Sequence, residues 1–251
     1  MFQLEGKVAM ITGGSKGIGL GMAHCLGRMG AKLAISSRGL DDLEHAKKEL
    51  SNEGYDVMAT SVDVTNKESV NAWVDEVIGH FGEVHILVNN AGTNIRKPLI
   101  EVEEEDWDRV LDTNLKGVFL VGQAVAKQLI NQGKGGRIIN ISSIFGGVGS
   151  SFQTSYASSK GGINQLTKVW AHELADKNIN VNALAPGYIK TPMTAGWLDD
   201  KERYNQIINQ TMVKRVGELQ DLEGPLLLLA SDASNYMTGQ TIYVDGGWTA
   251  Q

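Results

Sequence analysis

Short apolar runs alternate with longer stretches whose apolar positions recur at helical spacing along the whole chain. Val8–Thr12, Lys32–Ser36, Val57–Val62, Ile86–Asn89, Arg137–Ile141, Ile179–Ala183 and Thr241–Val244 are rich in β-branched and aliphatic residues. Between them, amphipathic helices are predicted from Gly17 to about Met29, from near Asp41, over Glu68–Phe81, and from Glu103 to about Asn131. The last of these carries Trp107, Val110, Leu111 and Phe119; a further helix places Ile163, Leu166, Trp170 and Leu174 on one face. Strands that are apolar on both sides belong in a parallel sheet covered by helices on both faces. The pattern predicts an α/β fold, a doubly wound, seven-stranded sheet forming one domain over residues 1–251. The stretch from about Tyr188 to Gly217 breaks the rhythm: Pro192, Met193, Trp197 and Met212 follow no clean period. It reads either as a surface excursion or as a flap over a ligand crevice.

Composition narrows the range of functions. A net charge of −6, with no basic stripe, argues against nucleic-acid binding. The acidic run Glu103–Asp106 suits a helix N-terminus. Cys25 is the single cysteine and falls within the first helix's apolar pattern, so it reads as a small core residue in a reducing compartment. Five histidines lie scattered without metal-ligand spacing, so no metal site is expected. Met1–Lys7 lacks a signal-peptide profile, and Leu226–Ala230 is a helix core rather than a membrane span. These features lead us to expect a cytoplasmic protein without a membrane partner.

Two sequence signals carry chemistry. The first strand runs into Thr12-Gly13-Gly14-Ser15-Lys16-Gly17-Ile18-Gly19, where glycines let the backbone approach a pyrophosphate at a helix N-terminus. Far along the chain, Tyr156 and Lys160 stand four residues apart on one helix face, thirteen residues after Ser143. A cation near a phenol favours the phenolate, and a neighbouring hydroxyl can hold a substrate oxygen. The pair suits acid/base work on a carbonyl or carbinol. At the end of the second strand stand Ser37 and Arg38, where a carboxylate would receive a ribose 2′-hydroxyl. With Lys16 nearby, two cations can meet a 2′-phosphate, so NADP(H) is favoured, with NAD(H) as the alternative.

The motifs, taken in order, resemble those of the short-chain dehydrogenase/reductase family: Thr12–Gly19, Asp63-Val64, Asn89-Asn90-Ala91-Gly92, Asn114, Ser143, Tyr156 with Lys160, Pro186-Gly187 with Thr191, and Val244–Gly247. The resemblance spans nearly the whole chain. It implies a Rossmann-like fold and an oxidoreductase acting on CH–OH groups. Tyr156 is then the acid or base, Ser143 the partner of the substrate oxygen, and Lys160 the holder of the nicotinamide ribose that lowers the tyrosine pKa. By the same likeness Asn114 helps to hold a water that connects Lys160 to solvent. Gly13, Ser15, Lys16, Gly17, Ile18, Gly19, Ser37 and Arg38 then bind cofactor. Asp63 and Val64 meet adenine, Asn90, Ala91 and Gly92 lie beneath adenosine, and Pro186, Gly187, Ile189 and Thr191 lie at the nicotinamide. A homotetramer built through the long helices and the C-terminal segment is implied as well.

Substrate choice rests on fewer residues. Arg96 can pair with a carboxylate, and Asn94 and Gln153 can bind hydroxyls, a pattern similar to gluconate 5-dehydrogenases and deoxy-ketogluconate dehydrogenases. Arg96 also reads as a surface or interface residue, and Lys134 and Arg137 as strand-edge charges. A 3-oxoacyl-thioester reductase shares every cofactor and catalytic motif and is the competing enzyme reading. A nucleotide-sensing protein on the same fold is the non-catalytic alternative; retention of Ser143, Tyr156, Lys160 and Asn114 together speaks for an active enzyme.

Overall fold

The computed structural model describes residues 2–250. Seven strands form one parallel sheet in the order β3-β2-β1-β4-β5-β6-β7. They are β1 (Val8–Thr12), β2 (Lys32–Ser37), β3 (Val57–Ser61), β4 (Ile86–Asn89), β5 (Gly136–Ile141), β6 (Ile179–Pro186) and β7 (Thr241–Val244). The winding direction reverses between β1 and β4, which opens a crevice at their C-terminal ends.

Alternation along each strand splits the core in two. Ala9 and Ile11 of β1 join Leu33, Ile35, Val88 and Ile139 on one face, packed by α1 (Gly17–Arg28), α2 (Leu40–Asn52) and residues of the later α9 (Glu223–Ala230). Val8 and Met10 join Ala34, Leu87, Ile138 and Val181 on the other, covered by α3 (Lys67–Phe81), α5 (Gly117–Gln132) and α6 (Thr154–Leu174). The two long helices α5 and α6 meet where Gly122 leaves room for Trp170; a Cβ there would lie 2.5 Å from the indole.

The long helical stretch predicted from Glu103 is interrupted. It comprises α4 (Glu104–Leu111), a π-helical turn at Asp112–Lys116, and α5. The acidic run opens α4 through a capping box of Glu103 and Asp106. Residues 188–217, which have no clean period, contain two short helices, α7 (Pro192–Leu198) and α8 (Lys201–Gln210). The two ends of this excursion are tied together: Gly217 N donates to Tyr188 O at 2.8 Å, and Lys190 N to Gly217 O at 2.9 Å.

Arg137 departs from its reading as a strand-edge charge. Its side chain is 13 % exposed and bonds to Asn180 Oδ1 at 3.0 Å, to Asn235, and to the Ser231 carbonyl. It cross-links β5 to β6 and the segment after α9, because those elements close over the strand's start. Lys134 pairs with Glu83 at the surface. Among the described residues, no helix is long and apolar enough to cross a membrane.

Candidate active site

The crevice at the sheet's switch point is a cavity of about 650 Å³, within the range that holds small-molecule ligands. Thr12, at the end of β1, fixes one wall. Its Oγ1 accepts from Asn90 N at 2.9 Å and Ala91 N at 3.0 Å, while Asn90 Nδ2 donates to the carbonyls of Thr12 and Gly13 at 3.0 and 3.1 Å. The loops after β1 and β4 are thereby held as one unit. Gly13 and Gly17 take φ of +63° and +58°, a backbone turn open to glycine. Gly19 allows the closest approach: a Cβ would meet Gly13 O at 2.2 Å. Gly19 thus shapes the loop from behind and does not itself line the cavity, whereas Gly13, Ser15, Lys16, Gly17 and Ile18 do.

The opposite end of the loop meets Ser37 and Arg38, which also line the cavity. Here the structure adds a residue. Asp42, in the first turn of α2, lines the same wall and pairs with Lys16 Nζ at 2.8 Å. The strand end carries Ser37 and Arg38 in place of a carboxylate, and the following helix turn brings one beside them. Val64, Asn90, Ala91 and Gly92 face the cavity, as do Pro186, Gly187, Ile189 and Thr191. Asp63 is placed otherwise. Its Oδ1 accepts from Thr65 N at 3.0 Å and Thr65 Oγ1 at 2.8 Å, and these bonds, with the Arg38 charge, hold its carboxyl below the usual range.

Ser143, Tyr156 and Lys160 converge on the cavity. Ser143 caps a short helical turn after β5, its Oγ accepting from Phe145 N at 3.2 Å. Tyr156 and Lys160 lie one turn apart near the start of α6. Lys160 is 4 % exposed, and its Nζ donates to Ile141 O at 2.8 Å. Burial pushes its ammonium down to about 8. Burial also raises the Tyr156 phenol; the neighbouring Ser143 hydroxyl and the Arg96 charge pull it back in part. Arg96, from the loop after β4, is thus a second cation whose charge reaches the phenol. Lys160 Nζ lies 5.5 Å from the Tyr156 ring centre and donates to the Ile141 carbonyl.

Asn114 sits in the π-helical turn and is fully buried. Its Oδ1 accepts from Thr93 N at 2.8 Å; its Nδ2 donates to Thr93 O at 2.9 Å and Ser159 Oγ at 3.1 Å. Ser159 Oγ in turn donates to Tyr156 O at 2.7 Å. The side chain therefore joins the loop after β4 to the turn of α6 that carries Tyr156.

That loop presents Asn94 and Arg96. Asn94 Nδ2 donates to Gln153 Oε1 at 2.9 Å, and Gln153 is 4 % exposed. Phe152, just before it, takes φ of +65°, a conformation uncommon for a bulky residue, and this turn introduces α6. Asn94 Oδ1 and Arg96 Nε are buried with no protein partner among the described residues. Arg96 stacks on Trp197 of α7, its guanidinium carbon 4.8 Å from the ring centre. An aromatic series, Tyr156–Phe145–Tyr188–Trp248, runs on from the cavity-lining Tyr156, with ring centres 6.4, 6.1 and 5.3 Å apart. No role for Phe145 or Tyr188 follows from the sequence. Asn140 and Ser142 do serve the strand end: Asn140 bonds Asn89 and Thr167, and Ser142 Oγ donates to Lys160 O. Asp245 forms a turn, accepting from Gly247 N and Thr249 N at 2.9 Å each.

Comparison with known proteins places these features in context. The family described as enoyl-(acyl carrier protein) reductase matches residues 13–249. The 2-dehydro-3-deoxy-D-gluconate 5-dehydrogenase of Escherichia coli strain K12 is 40 % identical, over 100 % of this chain and 98 % of that one. A 3-oxoacyl-[acyl-carrier-protein] reductase of Thermotoga maritima is also 40 % identical, over 98 % of each. The crystal structure of a gluconate 5-dehydrogenase from Burkholderia cenocepacia in complex with NADP and tartrate superposes with a TM-score of 0.96, at 37 % identity, covering 100 % of this chain and 98 % of that one.

Proposed function

The chain belongs to the short-chain dehydrogenase/reductase family, and we propose that it interconverts a secondary alcohol and a ketone of a sugar acid, such as gluconate and 5-ketogluconate, using NADP(H). The observation that carries the substrate reading is the polar cluster beside Tyr156. A buried donor, Arg96 Nε, and a buried acceptor, Asn94 Oδ1, lack protein partners, and buried polar groups of this kind are costly unless a ligand meets them. A carboxylate for Arg96 and a hydroxyl for Asn94 and Gln153 satisfy them; an acyl chain does not. The relatives named for gluconate chemistry and the crystal complex with NADP support the same reading.

The cradle suits a dinucleotide phosphate. Gly13 to Ile18 hold the pyrophosphate, Lys16 and Arg38 the 2′-phosphate, and Val64 with Asn90, Ala91 and Gly92 the adenosine; Ile189 and Thr191 orient the nicotinamide. When bound, NADP(H) supplies or accepts the hydride. Tyr156 gives its hydroxyl proton to the carbonyl oxygen in reduction and takes a proton from the carbinol in oxidation. Ser143 hydrogen-bonds that oxygen as charge develops on it. The charges of Lys160 and Arg96 favour the phenolate form, and Arg96 also pairs with the substrate's carboxylate. Lys160 holds the ribose and retains its place through Ile141 O. Asn114 and Gly19 position these groups without lying in the cavity. The excursion at 188–217 acts as the flap over the bound pair, hinged where Tyr188 and Lys190 meet Gly217.

The same proposal includes a cytoplasmic homotetramer. Leu99, Ile100 and Trp107, 70, 93 and 38 % exposed, and Phe119 and Ile130 of α5, both 40 % exposed, are apolar side chains left at the surface and support a subunit interface through the long helices. A buried thiol, Cys25, is in keeping with a reducing compartment.

The test is NADPH oxidation followed optically with 5-ketogluconate and, in parallel, with an acetoacetyl thioester. Turnover of the keto-acid alone upholds the sugar-acid reading. Turnover of the thioester alone replaces it with the second reading, acyl-thioester reduction, which the 40 % identical Thermotoga relative favours. Light scattering after size exclusion tests the tetramer.

A further inference from the structure

The end of the cavity assigned above to the 2′-phosphate holds a carboxylate as well as its cations. Lys16, Arg38 and Asp42 line the same wall. Lys16 Nζ is 2.8 Å from Asp42 Oδ2, with side chains 63 % and 53 % exposed. Among the described residues, Asp42 is the one carboxylate that lines this cavity. Among the described residues Arg38 forms no ion pair: its charge reaches the carboxyl of Asp63 across the strand ends, and its carbonyl accepts from Ser61 Oγ at 3.5 Å.

We propose that Asp42 is a specificity-determining residue that tempers the preference for NADPH over NADH, an inference that rests on the NADP(H) reading above. The physics is competition. A 2′-phosphate entering this corner must draw Lys16 away from Asp42 and then accept a carboxylate beside its own negative charge. A 2′-hydroxyl faces neither cost, and it leaves the Lys16–Asp42 pair intact. Arg38 attracts the phosphate, and Asp42 offsets part of that attraction. The chain therefore accepts both cofactors, with a narrower preference than Lys16 and Arg38 alone would produce. The arrangement arises from the helix that follows β2. Gly39 is its N-cap, with no side-chain cap bond, and Asp42 stands in its first turn, where a carboxylate also complements the helix dipole. That structural benefit explains why an acid is tolerated here, but it does not bear on which nucleotide binds. Asp41 shares the turn and does not line the cavity.

Fluorescence titration of the full-length protein with NADPH and with NADH, in low salt, tests the inference without turnover. Asp42→Asn keeps the side chain's shape and removes its charge. We expect it to tighten NADPH about three- to tenfold while NADH changes less than twofold, and the gain to shrink in 0.5 M salt as screening grows. Asp42→Ala is expected to give the same sign, which separates loss of charge from a new amide contact. NADPH binding that Asp42→Asn leaves unchanged or weakens, in a variant whose melting temperature is preserved, overturns this inference alone. Unsubstituted protein that binds NADH and fails to bind NADPH overturns the NADP(H) reading and this inference with it.

Discussion

Arg96 and Arg203 both stack on Trp197: their guanidinium carbons lie 4.8 and 4.1 Å from the centre of its ring. Arg96 belongs to the loop after β4 and Trp197 to α7, so the contact clasps the excursion onto the loop that faces Tyr156. A cation–π contact of this kind contributes about 0.5–2 kcal/mol, depending on exposure. Trp197→Leu should therefore raise the KM for the keto-acid about three- to tenfold, with kcat changed less, because Arg96 loses its platform and not its charge. Trp197→Phe should recover part of the loss. Steady-state kinetics of the two variants at saturating NADPH checks this; a fall in kcat with unchanged KM would place Trp197 in the chemistry instead.

Tyr156→Phe removes one oxygen from the site and keeps the ring that packs against Phe145. The proton donor is lost, so kcat should fall about 10²–10⁴-fold. Nucleotide affinity should stay within twofold, since the Gly-rich loop and the adenosine wall are untouched. Equal losses of turnover and of binding would make the tyrosine structural.

Much of this site is legible from residue type and spacing, and the exceptions share a cause. Strand interiors such as Val8–Thr12 and Ile86–Asn89 are buried on both faces, so an unbroken apolar run marks them. Tyr156 and Lys160 are paired by local helix geometry, and the glycine loop by its place after β1. What stayed hidden depends on contacts between distant segments. Asp42 reaches the cofactor wall from the next helix. Arg137 reads as an edge charge until the segment near Ser231 closes over it. A second cation whose charge reaches Tyr156, Arg96, stands sixty residues away in the sequence. The π-helical turn at Asn114 leaves no mark on apolar periodicity, because Val110 and Val118 are buried on either side of it. Asn114 itself was found by family likeness, whereas the bonds that explain its position require the fold.

Burial of Lys160 makes stability depend on pH. Its ammonium ionises near 8 in the folded protein, against an ordinary 10.5, because it is desolvated. The unfolded chain thus binds more protons between those values, and stability rises with pH across that window. The cost of burying the charge is full below pH 8 and gone above 10.5. Its full size corresponds to roughly 3 kcal/mol. Urea unfolding of the wild type and of Lys160→Met at pH 7 and pH 9.5 isolates this group from the others. The wild type should gain about 2 kcal/mol on the variant over that range. A constant difference between the two proteins would show that Lys160 ionises alike in both states.

Gly19 and Gly79 make opposite demands, although both are helical glycines. At Gly19 a Cβ would fall 2.2 Å from Gly13 O and 2.5 Å from Asn90 Nδ2. Gly13 belongs to the turn that faces the cofactor, and Asn90 is the residue that ties that turn to β4. Neither the carbonyl nor the doubly bonded amide can yield independently, so Gly19→Ala must shift the loop itself. It should cost about 1–3 kcal/mol of stability and weaken both NADPH and NADH by a similar factor. At Gly79, exposed on α3, a Cβ would meet nothing within 4 Å. Gly79→Ala removes backbone freedom from the unfolded chain and should add about 0.5–1 kcal/mol, with nucleotide binding unchanged. Chemical denaturation and nucleotide titration of the two variants side by side check both halves. If Gly19→Ala binds both nucleotides at wild-type strength, the loop's geometry is not set from behind by that glycine, and the close approach is a packing detail only.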